Sequence, residues 1–279
     1  MKLKQILQEI EKVDEDVYSL SGSRRRVLRE LGVFTKKAAF AALPFSLATK
    51  ATNTQAQSIN TAAIEAVLQF ALTIKQLEAE FYTLAISSAG LVPAGAAFDA
   101  ITTIRDHENL HVAFLATAIE DLGKVPGAKP VFDFEGGKGI SAGVFPDVFT
   151  NFDTFLVVAQ MLEDTGVRAF KGQITELVGA GSIITGFLGM HSVEGRHASH
   201  VRRMRMLRGA SIKPWITGKV SGIGAAAQLS YDGEELAIQG GISIAEINGL
   251  SISIEAASES FDEPLTKEQT LTIIDPFLV

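Results

Sequence analysis

The chain has 279 residues, 47% hydrophobic and 20% charged, with 25 glycines and no cysteine. Disulfides, thiolate zinc sites, iron–sulfur clusters and cysteine nucleophiles are therefore excluded, and any metal must be held by nitrogen and oxygen. The formal charge is −7, and residues 1–56 hold ten basic against six acidic side chains, so the rest of the chain carries −11. A body that acidic lacks the basic footprint of a nucleic-acid binder.

The first segment reads as an address. Ser23-Arg24-Arg25-Arg26-Val27-Leu28-Arg29 resembles the twin-arginine export motif, and Lys36-Lys37 and an apolar run from Ala38 to Ala48 follow it. That run is too short to span a bilayer but suits the apolar region of a signal peptide. Thr54-Gln55-Ala56 supplies a small-residue cleavage site. Residues 1–56 are thus expected to direct export to the periplasm; the alternative is a basic tail retained on a cytoplasmic protein. No stable transmembrane helix is expected.

Residues 57–210 carry apolar residues at helical spacing in four long runs. The breakers predict helices from about Thr61 to Ser87, Ala96 to Leu122, Asp147 to Val178 and Ser182 to Arg208. The first and last connections are short, whereas residues 123–146, rich in Gly, Pro and Phe, are long. An all-α, ferritin-like four-helix bundle with a long crossover between its second and third helices satisfies that pattern.

The polar residues inside the apolar stripes carry the chemistry. Glu108-Asn-Leu-His111 and Glu194-Gly-Arg-His197 each set a carboxylate and an imidazole three residues apart, on one helical face. Glu163 interrupts the third helix's stripe, and Glu78 lies among Ala71, Ile74, Phe81 and Ala85 on the first. Glu80, in more polar company, is expected to face solvent or a subunit contact. Each half of the bundle is thus one helix with a lone Glu followed by one with Glu-x-x-His. Four carboxylates and two imidazoles gathered in an apolar core must be protonated, hydrogen-bonded or bound to cations. Neutral histidines and four carboxylates balance two divalent ions, and the set matches that of di-iron and di-manganese carboxylate proteins.

Leu77-Glu78-Ala79-Glu80-Phe81-Tyr82, His107-Glu108-Asn109-Leu110-His111, Leu162-Glu163-Asp164 and Glu194-Gly195-Arg196-His197 resemble the ferritin-like desiccation-related proteins of bacteria and plants. Phe261-Asp262-Glu263-Pro264-Leu265-Thr266 is also similar to bacterial members. The resemblance implies a centre of two metal ions, iron or manganese, on Glu78, Glu108, His111, Glu163, Glu194 and His197. Tyr82 and His191 are candidates for neighbours of that centre; Tyr82 is expected rather to pack there as an amphipathic aromatic, and His191 can equally be a hydrogen-bonded core histidine. His107 and His200 are expected to flank it. Arg168, Arg196, Arg202 and Arg203 are expected at a solvated or subunit-facing surface.

Residues 211–279 lose the helical period. Asp232-Gly233 and Asn248-Gly249, each between alternating apolar residues, predict β-hairpins in a small β-rich or irregular extension. Thr266-Lys-Glu-Gln269 predicts a capping box opening a short terminal helix to about Asp275. The leading functional expectation is an oxidoreductase that oxidises Fe(II) or consumes peroxide, with dioxygen, peroxide or Fe(II) as its small partners, in stress protection. The alternative is a non-enzymatic metal-binding structural or stress-protection protein. Homo-oligomers are compatible with the sequence; nucleic acid is not an expected partner.

Overall fold

The structure is a computed structural model that describes residues 60–279; the export-like segment expected at 1–56 lies outside the described residues. Four long helices dominate: α1 (Thr61–Ser87), α2 (Ala96–Asp121), α3 (Phe152–Gln173) and α4 (Ser182–Leu207). Their ends follow the chain's own caps. Asn60 and Asn151 accept hydrogen bonds from Ala63 N and Asp153 N, satisfying amides that the first turns of α1 and α3 leave open. No helix among the described residues is long and apolar enough to cross a membrane.

Two apolar clusters fill the bundle, and the same order along each helix places a polar layer between them. One cluster takes Leu77–Ala85 of α1, Ile101 and Ile104 of α2, Phe152–Leu162 of α3, and Val201 and Met204 of α4. The other takes Ile64–Leu72, Phe114–Ile119, Phe170, and Phe187 and Met190 from the same four helices. Phe81 stacks on Phe155 at 4.8 Å in the first, and Phe170 on Phe187 at 4.5 Å in the second. On α2, α3 and α4 the Glu and His residues of interest fall between those stretches, and on α1 Glu78 lies at the near end of the first. The order also makes α2 and α3 parallel, which is why a long crossover must carry the chain back along the bundle. The crossover is anchored to the carboxy-terminal tail: Phe132 bridges Leu278, Asp133 N donates to Phe277 O, and Phe145 stacks on Phe277.

Beyond α4 come a 3₁₀ turn (Ala225–Ser230), two-residue strands β1 (Ile238–Gln239) and β2 (Ile242–Ser243), a 3₁₀ turn (Ile244–Gly249), α5 (Ile254–Ser258) and α6 (Lys267–Ile274). The capping box of Thr266 and Gln269 forms as expected. The hairpin does not sit where the sequence pattern puts it. Its turn is Gly240-Gly241, with φ of 58° and 82°, the two left-handed positions that a tight antiparallel turn requires. At Asp232-Gly233 the carbonyls of Ser230 and Asp232 accept hydrogen bonds from Arg168, so the backbone there serves a side chain rather than a ladder. Residues 244–249 close on themselves as a 3₁₀ turn instead of a second hairpin.

The extension covers the outer face of α3, and this overturns the surface placement of two arginines. Seventeen of the 22 residues of α3 are buried, on both faces. Arg168 is enclosed, with Glu234 at 2.7 Å and the carbonyls of Ser230, Asp232 and Glu263 as partners. Arg202 is also enclosed and grips Asp164 with Nε and Nη2, while Tyr231 donates to the same carboxylate at 2.6 Å. Arg196 and Arg203 are exposed.

Candidate metal centre

Glu78, Glu108, His111, Glu163, Glu194 and His197 all lie in the polar layer, five of them with no exposed surface and His197 with 4%. Their spacing explains the convergence, since i and i+3 on α2 and α4 turn both members of each pair inward. Glu108 stands centrally. Its Oε1 lies 3.0 Å from His197 Nδ1, and its Oε2 lies 3.5 Å from His111 Nδ1. His197 Nδ1 is 3.4 Å from Glu163 Oε2, and His111 Nδ1 is 3.3 Å from Glu194 Oε1. The donor atoms of Glu108, Glu163, Glu194 and His197 fall within 4.8 Å of one another, a little over twice a metal–donor bond of about 2.1 Å.

Gly166 explains how the carboxylates come so close to α3. A Cβ there would lie 2.9 Å from Glu78 Oε1 and 3.1 Å from Glu194 Oε2. Glycine inside a helix costs roughly 1 kcal/mol relative to alanine, and here it leaves the room that those two oxygens occupy.

Neighbouring side chains fix the donors. Tyr82 OH donates to Glu163 Oε1 at 2.6 Å, so Tyr82 does more than pack. Burial, followed by the charge of Glu163, holds its phenol well above the ordinary tyrosine range and keeps that proton on oxygen. His107 Nδ1 lies 2.9 Å from His197 Nε2, so His107 flanks the cluster through a direct contact with one of its members. His191 is half-buried and makes no hydrogen bond or ion pair with the six among the described residues. Burial pushes its pKa below the ordinary value, against the pull of Asp262 and Glu194. His200 is exposed. Glu80 is half-exposed and pairs with Lys129.

Sequence reasoning missed one member of the layer. Lys75, one turn before Glu78 and with no exposed surface, places its ammonium against Glu78 Oε2 and Glu194 Oε2 and 3.0 Å from Glu108 Oε2. Its position on the same stripe as Ala71, Glu78 and Tyr82 was the available signal; a lysine is normally assigned to the surface. Burial opposes its charge, but the carboxylates of Glu108, Glu194, Glu78 and Glu163 outweigh that and hold its pKa well above the usual lysine value.

The electrostatics of the layer are those of too many carboxylates for the cations present. Burial pushes Glu78 well above the ordinary carboxylate range despite Lys75, and pushes Glu163 up despite His197. Glu108 and Glu194 end below it: burial acts against their charge, Glu194 also feels Glu108, and Lys75 and the imidazoles overcome both. Burial disfavours the His197 imidazolium, yet Glu163 and Glu108 raise it to about 10.

The sequence profile of the ferritin-like domain matches residues 63–207, which take in all four long helices and the whole polar layer. The chain belongs to that family. No curated protein matches it. In this ferritin-like domain the fit to a metal is tested by the buried atoms that lack a hydrogen-bond partner. They include Glu163 Oε2, Glu108 Oε1 and Oε2, Glu194 Oε1 and His197 Nδ1, and also both oxygens of Glu78 and both ring nitrogens of His111. Orphaned oxygen and nitrogen donors of this kind, sealed from water, fit a metal cation that takes mixed carboxylate and imidazole ligands. Around Glu163 and His197 the fit is good. Around Glu78 the ammonium of Lys75 already stands among the carboxylates.

Proposed function

We propose that the ferritin-like domain holds iron or manganese on Glu108, Glu163, Glu194 and His197 and uses it to oxidise Fe(II) or to consume peroxide. The observation that carries this reading is the gathering of donor atoms from those four residues within 4.8 Å, drawn from three helices, orphaned of hydrogen bonds and closed to water. A bound redox ion would supply electron exchange with dioxygen or peroxide, which the chain, lacking cysteine, does not otherwise offer. The protein's part is to hold and orient. Tyr82 engages Glu163 Oε1 and leaves Oε2 turned to the cluster. With His197 Nδ1 turned to the carboxylates of Glu108 and Glu163, its Nε2–H would donate to His107 Nδ1 when a metal is held, and His107 would fix both tautomer and ring plane. The enclosure of all six side chains favours substrates as small as dioxygen, peroxide or a single ion.

Export to the periplasm, and a protective role there of the desiccation-related kind, are part of the same proposal. Their support is the twin-arginine-like segment and the motifs that carry the resemblance. The test is aerobic Fe(II) oxidation and peroxide decomposition by metal-loaded protein beside Glu163→Ala. Turnover that falls at least tenfold in the variant is expected; equal rates would remove the enzymatic reading. The same tight enclosure favours a second reading, in which the ion only ties the helices together. That reading predicts bound metal with no turnover in either protein.

A further inference from the structure

The polar layer divides into two halves. On one side stand Glu163 and His197, with Glu108 Oε1 facing them. On the other stand Glu78 and His111, with the Oε2 atoms of Glu108 and Glu194 and, among them, the ammonium of Lys75. Glu194 Oε2 accepts a hydrogen bond from it.

We propose that Lys75 supplies one of the two cations expected in this centre, so that the site binds a single metal ion, on Glu108, Glu163, Glu194 and His197. The inference rests on the metal-binding reading above and changes the number of ions. Three observations support it. An ammonium has three N–H groups, and Lys75 meets one oxygen from each of three carboxylates, the oxygens that a second ion would need. The residues whose donor atoms gather closely enough for one ion exclude Glu78 and His111, the two that belong to the lysine's half. The charges agree as well. Four carboxylates and one ammonium leave three negative charges with the imidazoles neutral, which one trivalent ion cancels; a second ion of either charge turns the layer net positive. Lys75 also has nowhere else to go, because its side chain is wholly enclosed and its Nζ lies 5.1 Å from the centre of the Phe170 ring.

The deciding experiment is a metal count. The full chain is loaded anaerobically with excess Mn(II), freed of unbound ion, and examined by elemental analysis and electron paramagnetic resonance. One ion per chain is expected, with the spectrum of an isolated Mn(II). Lys75→Met keeps the length of the apolar stem and drops the charge, and it should bind two ions and show an exchange-coupled spectrum. Two coupled ions in the unaltered chain would overturn the inference while leaving metal binding intact. No ion at all would remove the metal reading and this inference together. A folded Lys75→Met that still binds one ion would also overturn it. Should that variant fail to fold, the count and spectrum of the unaltered chain decide alone.

Discussion

Glu163 and Asp164 are adjacent in the sequence, both buried, and they face opposite sides of α3. Asp164 looks away from the polar layer, and both its oxygens are taken by Arg202 of α4 and Tyr231 of the extension. Glu163 looks inward, where Tyr82 holds Oε1 and Oε2 has no hydrogen-bond partner. Burial alone therefore does not mark a functional carboxylate. A buried charge with its donors complete is a structural tie; one left incomplete among other incomplete acceptors could hold a cation.

The comparison breaks most readily on the outer face. Asp164→Ala leaves the Arg202 guanidinium enclosed without its carboxylate, and breaking a buried pair in this way costs about 3–5 kcal/mol. A large fall in thermal or urea stability is expected, with the metal content of the surviving folded protein unchanged. Lost metal with unchanged stability would invert the roles of the two neighbours. A second effect is smaller and depends on pH. Glu234 pairs with Arg168 but keeps Oε2 without a hydrogen bond, and burial, only partly offset by Arg168, raises its pKa from 4.5 to about 7. An acid whose pKa is raised on folding stabilises the fold below its unfolded pKa and loses that contribution as pH climbs through the folded value. Stability should therefore decline between about pH 4.5 and pH 7, by about 3 kcal/mol at most from this group. Asp262, also raised by burial, adds to the decline in the same direction. Urea titrations across that range should show it, and Glu234→Gln should flatten the slope.

On the inner face the corresponding measurement is stabilisation by the ion itself. If the metal binds only the folded protein, Mn(II) at one hundred times its dissociation constant should add about 2.7 kcal/mol. In Glu163→Ala the same addition should leave the unfolding midpoint where it was. An equal rise in both proteins would place the ion elsewhere.

The four helices and the inward turn of Glu78, Glu108, His111, Glu163, Glu194 and His197 were legible in the sequence because they depend on local periodicity. A polar residue three or four positions from apolar ones shares their face whatever the rest of the chain does. Lys75 obeys the same rule but was hidden by its type, since its burial is made tolerable only by carboxylates from three separate segments. Arg168 and Arg202 were hidden for another reason. Helical period reports the face turned toward the bundle, and nothing local says that the extension returns to cover the opposite face, through Ser230 and Asp232 for Arg168 and through Trp215 and Tyr231 for Arg202. The hairpin failed at the same level. Asp232-Gly233 has the right turn chemistry, but Arg168 claims the carbonyls of Ser230 and Asp232, and the turn forms at Gly240-Gly241 instead.

The two faces of α3 also offer a matched pair of small changes. Tyr82 donates to Glu163 and Tyr231 donates to Asp164, each at 2.6 Å and each within the buried interior. Replacing either by Phe keeps the ring; Tyr82→Phe removes one hydrogen bond and Tyr231→Phe two, since the Tyr231 hydroxyl also accepts from Gln160 Nε2 at 2.9 Å, so each should cost about 1–3 kcal/mol in stability. Only one of them should be felt by the metal. Tyr82→Phe frees Glu163 Oε1 and loosens the orientation of its carboxylate, and such partners typically contribute 10–100-fold to metal affinity. Tyr231→Phe leaves Asp164 still gripped by Arg202 and should leave that affinity within about twofold, since it touches no ligand. Competition titration of Mn(II) with a chelator separates the two variants. Equal weakening in both would mean that the faces communicate through α3 and that the division between tie and binding site is less clean than their hydrogen bonds imply.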